Sequence, residues 1–285
     1  MSLEVIYVVR HGFRSTWSVD PKTGVYSASF LSPTGIPADP ALTFHGSNQA
    51  QELGSHLMTL DPPIDVVYSS PYFRCLETID PFVKRKRRQL EREGMEDNPA
   101  VTSIRPEYGL CEFFGAAPFE HPIPAPPEKL KSLFSTYDDT YVSALAPSRN
   151  GETIQALYER VAAAVNAIIE RCDLEGRRAA VLCTHAAVVI ALGRVLTGRI
   201  PDDVETTDFH AYTCGLSTYR RKNMPRSMKQ TSTSESPDPM GAWECERNSD
   251  CSFLSDGAER GWWFSGDESF AGTGSMSRVV EGSKL

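Results

Sequence analysis

The chain lacks a membrane-length apolar run, a Cys-x-x-Cys pair and any surplus of basic residues. The first absence argues against a spanning helix. The second argues against a zinc ribbon: seven cysteines, an odd number, are scattered without the density of a secreted disulfide scaffold, which fits a reducing compartment. Cys183 sits in an apolar strand pattern, and Cys111, beside Glu112, is the one thiol with a polar neighbour worth following. Against 37 Asp and Glu there are only 29 Lys and Arg, a net charge of -8, so non-specific coating of nucleic acid is not expected. The N-terminus opens on a strand pattern followed by charges, not on a secretory leader. No internal repeat is present.

What the chain does have is alternation. Val5–Val9 reads as a buried strand and residues 15–42 as a Pro/Gly/Ser-rich loop. Thr43 caps a helix to about Leu60, and Ile64–Tyr68 reads as a strand. A helix then starts at Pro71, a favoured residue at a first helical position, and Val101–Ile104 is a weaker strand. Residues 115–150 are Pro-rich and read as an insertion with a short helix near Glu128–Phe134. A helix over Glu152–Arg171, a strand over Ala179–Cys183, a helix over Ala186–Leu196 closed by Gly198 and a last strand over Tyr212–Tyr219 complete the pattern. Such alternation gives a largely parallel sheet with helices on both faces, a three-layer α/β/α sandwich. On composition, residues 1–222 form the domain, 223–240 a linker, 241–270 an aromatic-rich segment that must pack somewhere, and 271–285 a flexible tail.

Three loops leave the C-terminal ends of the three most apolar strands. They carry Arg10-His11-Gly12-Phe13-Arg14, Ser69-Ser70-Pro71-Tyr72-Phe73-Arg74 and Thr184-His185-Ala186. In an open α/β sheet those ends line the ligand crevice, and helix N-termini there add N–H donors. Guanidiniums and imidazoles converging on one edge are costly unless an anion balances them, so a phosphate is the expected guest.

With these motifs in order, the chain resembles the histidine phosphatase (phosphoglycerate mutase-like) superfamily. The resemblance rests on Arg10-His11-Gly12, Leu42-Thr43 with Gly46 and Gln49-Ala50, and Ser69-Ser70-Pro71 with Arg74 and Thr78. It continues through Leu110-Cys111-Glu112, Gly151-Glu152-Thr153 with Arg160, and Thr184-His185-Ala186, spanning about residues 3–220. It implies two-step phosphoryl transfer, with His11 as the nucleophile. Arg10, Arg14, Arg74 and His185 would hold the phosphate, and Glu112 would serve as general acid and then base, a role that needs a partly desolvated, protonated carboxyl. Neither metal nor cofactor is implied. Glu152 reads as the start of its helix rather than as a catalytic group.

The departures narrow the resemblance. Mutases and small-sugar phosphatases of the family usually follow the Gly with Glu-Thr and a nearby Asn, whereas Phe13, Arg14, Ser15, Thr16 and Trp17 stand here. Arg14 matches the R-H-G-x-R pattern of the tyrosine-phosphatase-like branch and of the fungal branch related to the phosphatase-like tau subunit of transcription factor IIIC. A phosphomonoesterase acting on a phosphorylated small molecule or protein, such as an aryl phosphate, is therefore expected. Loop 15–42 and the insertion would roof the site, with Phe13, Tyr72, Phe113 and Phe114 either an aromatic wall at its entrance or, equally, part of the core. The rival reading is a phosphatase fold kept as an interaction subunit of a transcription-factor complex.

Two address signals compete. Ser283-Lys284-Leu285 has the form read by the peroxisomal import receptor. Lys84-Arg85-Lys86-Arg87-Arg88 has the form of a nuclear signal, but it lies within a helical pattern and reads first as a solvated helix face. Peroxisomal placement is the leading expectation, with cytoplasmic or nuclear placement as the alternative.

Overall fold

The computed structural model describes residues 2–222 and 241–264. The linker 223–240, the tail from 271 and Ser283-Lys284-Leu285 lie outside them. Six strands form the main sheet. In chain order they are β1 (Val5–Arg10), β4 (Val66–Ser69), β5 (Arg105–Pro106), β6 (Ala179–Thr184), β7 (Leu216–Arg221) and β8 (Trp243–Asp250), arranged β5-β4-β6-β1-β7-β8. The first four of that order run parallel, and β7 and β8 add antiparallel pairings. β2 (Trp17–Val19) and β3 (Tyr26–Ala28) form a separate hairpin.

Side-chain alternation along the strands builds two cores, one on each face. Val5, Tyr7 and Val9 face α1 (Phe44–Leu57) and α2 (Phe73–Glu93) through Leu53, Leu57, Leu76 and Ile79. Ile6 and Val8 face α5 (Ile154–Leu174) and α6 (Ala186–Thr197) through Leu157, Val161, Val189 and Leu192. The chain is thus an α/β sandwich with a mostly parallel sheet. Thr43 caps α1 by accepting from Gly46 N at 3.1 Å, and Gly198, at φ 69°, ends α6 in the left-handed conformation that glycine adopts without strain. Among the described residues no helix is long and apolar enough to cross a membrane.

Several elements differ from the sequence reading. The Val101–Ile104 stretch is not a strand: Pro99 opens a short helix, α3 (Pro99–Thr102), and the strand is the next pair, Arg105–Pro106. The helix expected from Pro71 begins at Phe73, because Asp39 Oδ2 takes the Phe73 N–H at 2.9 Å while Tyr72 stays extended. Loop 15–42 contains the β2–β3 hairpin. In the insertion, by contrast, α4 (Pro127–Leu133) agrees to within one residue with the short helix read near Glu128–Phe134. Glu152 stands outside α5: Thr153 is its cap, and residue 152 bridges Gly115. The strand read as the last is followed by another, since the aromatic segment supplies β8, with Trp243 buried and facing Arg221 at 5.7 Å. The basic run lies in α2, where Lys84 pairs with Asp80 at 2.6 Å and Arg87 donates to Thr102 O at 2.8 Å.

Candidate active site

Strand register assembles the site. Arg10 lies opposite Thr184, and Ser69 opposite Cys183, so the three central parallel strands end level. The ladder then runs one bond further at each end: His11 N donates to Thr184 O and Ser70 N to Cys183 O, both at 2.9 Å. His11, Ser70 and His185 therefore leave the sheet side by side. Gly12 turns the chain where a side chain does not fit, because a Cβ there would stand 2.8 Å from Gly46 O, and one on Gly46 would stand 1.9 Å from Phe13 O. The loop that carries His11 and the start of α1 thus touch backbone to backbone.

His11 is buried, and its Nδ1 lies 2.9 Å from Gly12 O. A carbonyl only accepts, so Nδ1 carries the proton and Nε2 keeps its lone pair. Burial, reinforced by Arg74, Arg10, His185 and Arg14, holds the ring well below the usual histidine range and therefore neutral. The two rings of His11 and His185 meet edge to face at 5.4 Å between centroids.

Arg74 is fully buried at the centre. Its Nη1 donates to Ala38 O at 3.0 Å and to Asp39 Oδ1 at 3.2 Å, and its Nη2 to Glu112 Oε2 at 2.9 Å and His185 Nδ1 at 3.1 Å. Its Nε has no hydrogen-bond partner among the described residues. The opposite nitrogen of His185, Nε2, is 2.8 Å from Ser70 Oγ. Arg10 is fixed through Nη1 by Ala211 O at 2.6 Å and by Arg260 O. Arg14 is half-buried, its Nη1 donating to Ser15 O at 3.1 Å and its guanidinium 5.7 Å from the Trp17 ring centroid.

Glu112 departs from the expectation placed on it. Burial pushes its carboxyl up, but His185, then Arg74 and His11, outweigh that and hold it well below the usual range. With Oε2 3.3 Å from His185 Nδ1 and 2.9 Å from Arg74, it is an ion-paired carboxylate rather than a protonated acid. Asp39, which the sequence reading left inside a roofing loop, is the second counter-charge of Arg74, and burial pushes its carboxyl up to about 6. Thr78 Oγ1 accepts from Gly12 N at 2.9 Å, and Gln49 Oε1 from Phe13 N at 3.0 Å, which gives these two motif residues a placement role.

The aromatic wall is mostly core. Tyr72 and Phe114 are buried in a cluster with Ala38 and Cys111, covered by Trp17 and Tyr26 of the hairpin. Phe113 packs on Phe264, while Phe13 lies beneath the Arg260 guanidinium at 4.2 Å. His121 is buried, with Nδ1 2.5 Å from Tyr26 OH and Nε2 3.0 Å from Gly115 O, and so ties the hairpin to the insertion. Burial pushes the Cys111 thiol far up, away from thiolate chemistry.

His11, Glu112 and His185 each place one donor atom within 4.8 Å of the others. Arg10, Arg14 and Arg74 around them make that cluster hostile to a cation and suited to an anion. A neutral imidazole, three guanidiniums, a second imidazole and one carboxylate thus converge on one site suited to an anion.

The profile of the histidine phosphatase superfamily (branch 1) matches residues 6–97 and 108–231, and the chain belongs to that superfamily. It is 31% identical over 279 residues to the transcription factor tau 55 kDa subunit of Saccharomyces cerevisiae, covering 93% of this chain and 59% of that protein. The chain therefore spans less than two thirds of that relative's length. Among solved structures, the ecdysone phosphate phosphatase of Bombix mori in complex with tungstate superposes with a TM-score of 0.51 at 22% identity, over 76% of this chain and 89% of that one, a likeness of fold.

Proposed function

We propose that the protein is a metal-independent phosphomonoesterase working through a phosphohistidine on His11. The observation that carries the reading is the neutral, Nδ1-protonated His11, whose Nε2 lone pair stands among Arg10, Arg14 and Arg74. A phosphate dianion entering there takes over Arg74 and His185 from Glu112. Released from its partners and beside two negative charges, Glu112 then takes up a proton from solvent. His11 Nε2 forms the N–P bond as the ester O–P bond breaks, and the leaving oxygen receives the Glu112 proton. Water next attacks phosphorus and gives its proton to Glu112, and the N–P electron pair returns to His11. Arg10, Arg14 and Arg74 carry the charge on the non-bridging oxygens throughout. Aryl or protein phosphate is the substrate class favoured by Arg14 in place of the mutase-type residues.

A second reading is supported by the tau 55 kDa relative: an interaction subunit of a transcription-factor-type complex with little or no catalysis. One comparison separates the two. Purified protein should hydrolyse p-nitrophenyl phosphate in EDTA, and His11→Ala should abolish it. Equal inertness of wild type and variant, with a partner co-purifying, would establish the subunit reading instead.

A further inference from the structure

Glu112, the one carboxylate of the constellation, sits on an irregular segment, so something must hold it. The three carbonyls that precede it are each held from outside that segment. Arg160 Nη1 donates to Gly109 O at 2.7 Å and to Cys111 O at 3.0 Å, and Thr184 Oγ1 donates to Leu110 O at 2.6 Å. Arg160 is itself fixed by Glu152, Nε to Oε1 at 2.7 Å and Nη2 to Oε2 at 2.9 Å, with both side chains buried. The backbone of the same Glu152 grips the other flank. Its N–H donates to Phe114 O at 2.9 Å, and its carbonyl accepts from Ala116 N at 3.2 Å. Residue 152 thus holds the chain on both sides of Glu112 while touching none of the groups around His11.

We infer that Glu152 and Arg160 are positioning residues for Glu112, setting where its carboxyl meets the leaving oxygen. The inference rests on the phosphatase reading. A buried ion pair does little for net stability, since desolvation offsets its attraction, so retention of this one is better explained by geometry. Only a planar guanidinium can fork to a carboxylate and still reach two carbonyls. A displacement of even about 1 Å at the reacting centre lowers rate steeply. Such a displacement would act on leaving-group protonation without dismantling the anion site, because Arg10 and Arg14 are anchored elsewhere and Arg74 keeps Ala38 O and Asp39 through Nη1.

The test compares Arg160→Lys and Glu152→Gln with wild type on p-nitrophenyl phosphate and phenyl phosphate, alongside orthovanadate inhibition. A p-nitrophenolate leaves with little help, whereas phenolate needs the proton. With Arg160→Lys, kcat should fall about tenfold on the first ester and about a hundredfold or more on the second, within the range of general acid catalysis. KM should not rise and vanadate inhibition should not weaken, which also reports a folded site. Glu152→Gln, which keeps the acceptors, should lie between the two, and it carries the same comparison if Arg160→Lys does not fold. Equal losses on both esters, or vanadate affinity falling in parallel, would overturn the positioning role and leave the phosphatase reading intact. A wild type inert on both esters would overturn both.

Discussion

Glu112 Oε2 lies 2.9 Å from Arg74 Nη2, so the would-be proton donor is paired with the central guanidinium of the anion site. The carboxylate stands where a phosphate oxygen is expected, and the two compete for one partner.

That competition predicts opposite effects on binding and turnover. Glu112→Gln should lower kcat by about a hundredfold or more, the loss of a general acid. It should also tighten orthovanadate inhibition, since no carboxylate remains on Arg74. Steady-state kinetics with vanadate as competitor reads both numbers. Weaker vanadate binding in the variant would sink the idea of competition.

The charge state of His11 is open to direct measurement. Burial and the surrounding guanidiniums hold the folded ring below its ordinary 6.5, so the unfolded chain binds this proton more readily. Stability should therefore fall as pH drops from 6.5 through the lower pKa of the folded ring. Glu112, held below 4.5, adds a loss at more acid pH. Asp39, pushed up to about 6, works the other way, losing its contribution as pH rises toward that value. Arg14→Gln should move the His11 titration upward, followed by the ring resonances in NMR, and His11→Gln should flatten the loss of Tm between pH 7 and 5. An His11 titrating near 6.5 in wild type would contradict the site as described.

Trp243 tests whether the C-terminal strand belongs to the domain. It is 1% exposed in the core beneath β8 and α6. Trp243→Ala should cost about 3–5 kcal/mol in urea unfolding, the usual penalty for emptying such a site. A cost below about 1 kcal/mol would mean that β8 is peripheral.

Much of the chemistry was legible in the sequence because it sits at strand ends. Apolar runs mark β1, β4 and β6, and whatever follows such a run in a parallel sheet lands on the ligand edge, which is how Arg10, His11, Arg74 and His185 could be read together. What escaped depends on contacts between distant segments. Asp39 lies in a loop with no periodicity, and only the folded chain brings it to Arg74. The ionisation of Glu112 followed the same rule. Its flanks Cys111 and Phe113 promised burial, and burial alone would have raised its pKa, but His185 and the Arg74 guanidinium beside it set the outcome. β8 was hidden because the apolar/polar alternation of Trp243-Glu244-Cys245-Glu246 is short and gives way to the wholly polar Arg247-Asn248-Ser249-Asp250.

Arg10 takes one of its acceptors from Arg260, 250 positions along the chain. During synthesis His11 leaves the ribosome well before the segment after β8, so the arginine beside it lacks that anchor until that segment has emerged. Before that segment docks, His11 stands beside an unfinished anion cradle, so any competence to bind an anion there should arrive abruptly, when β8 and the segment behind it take their places.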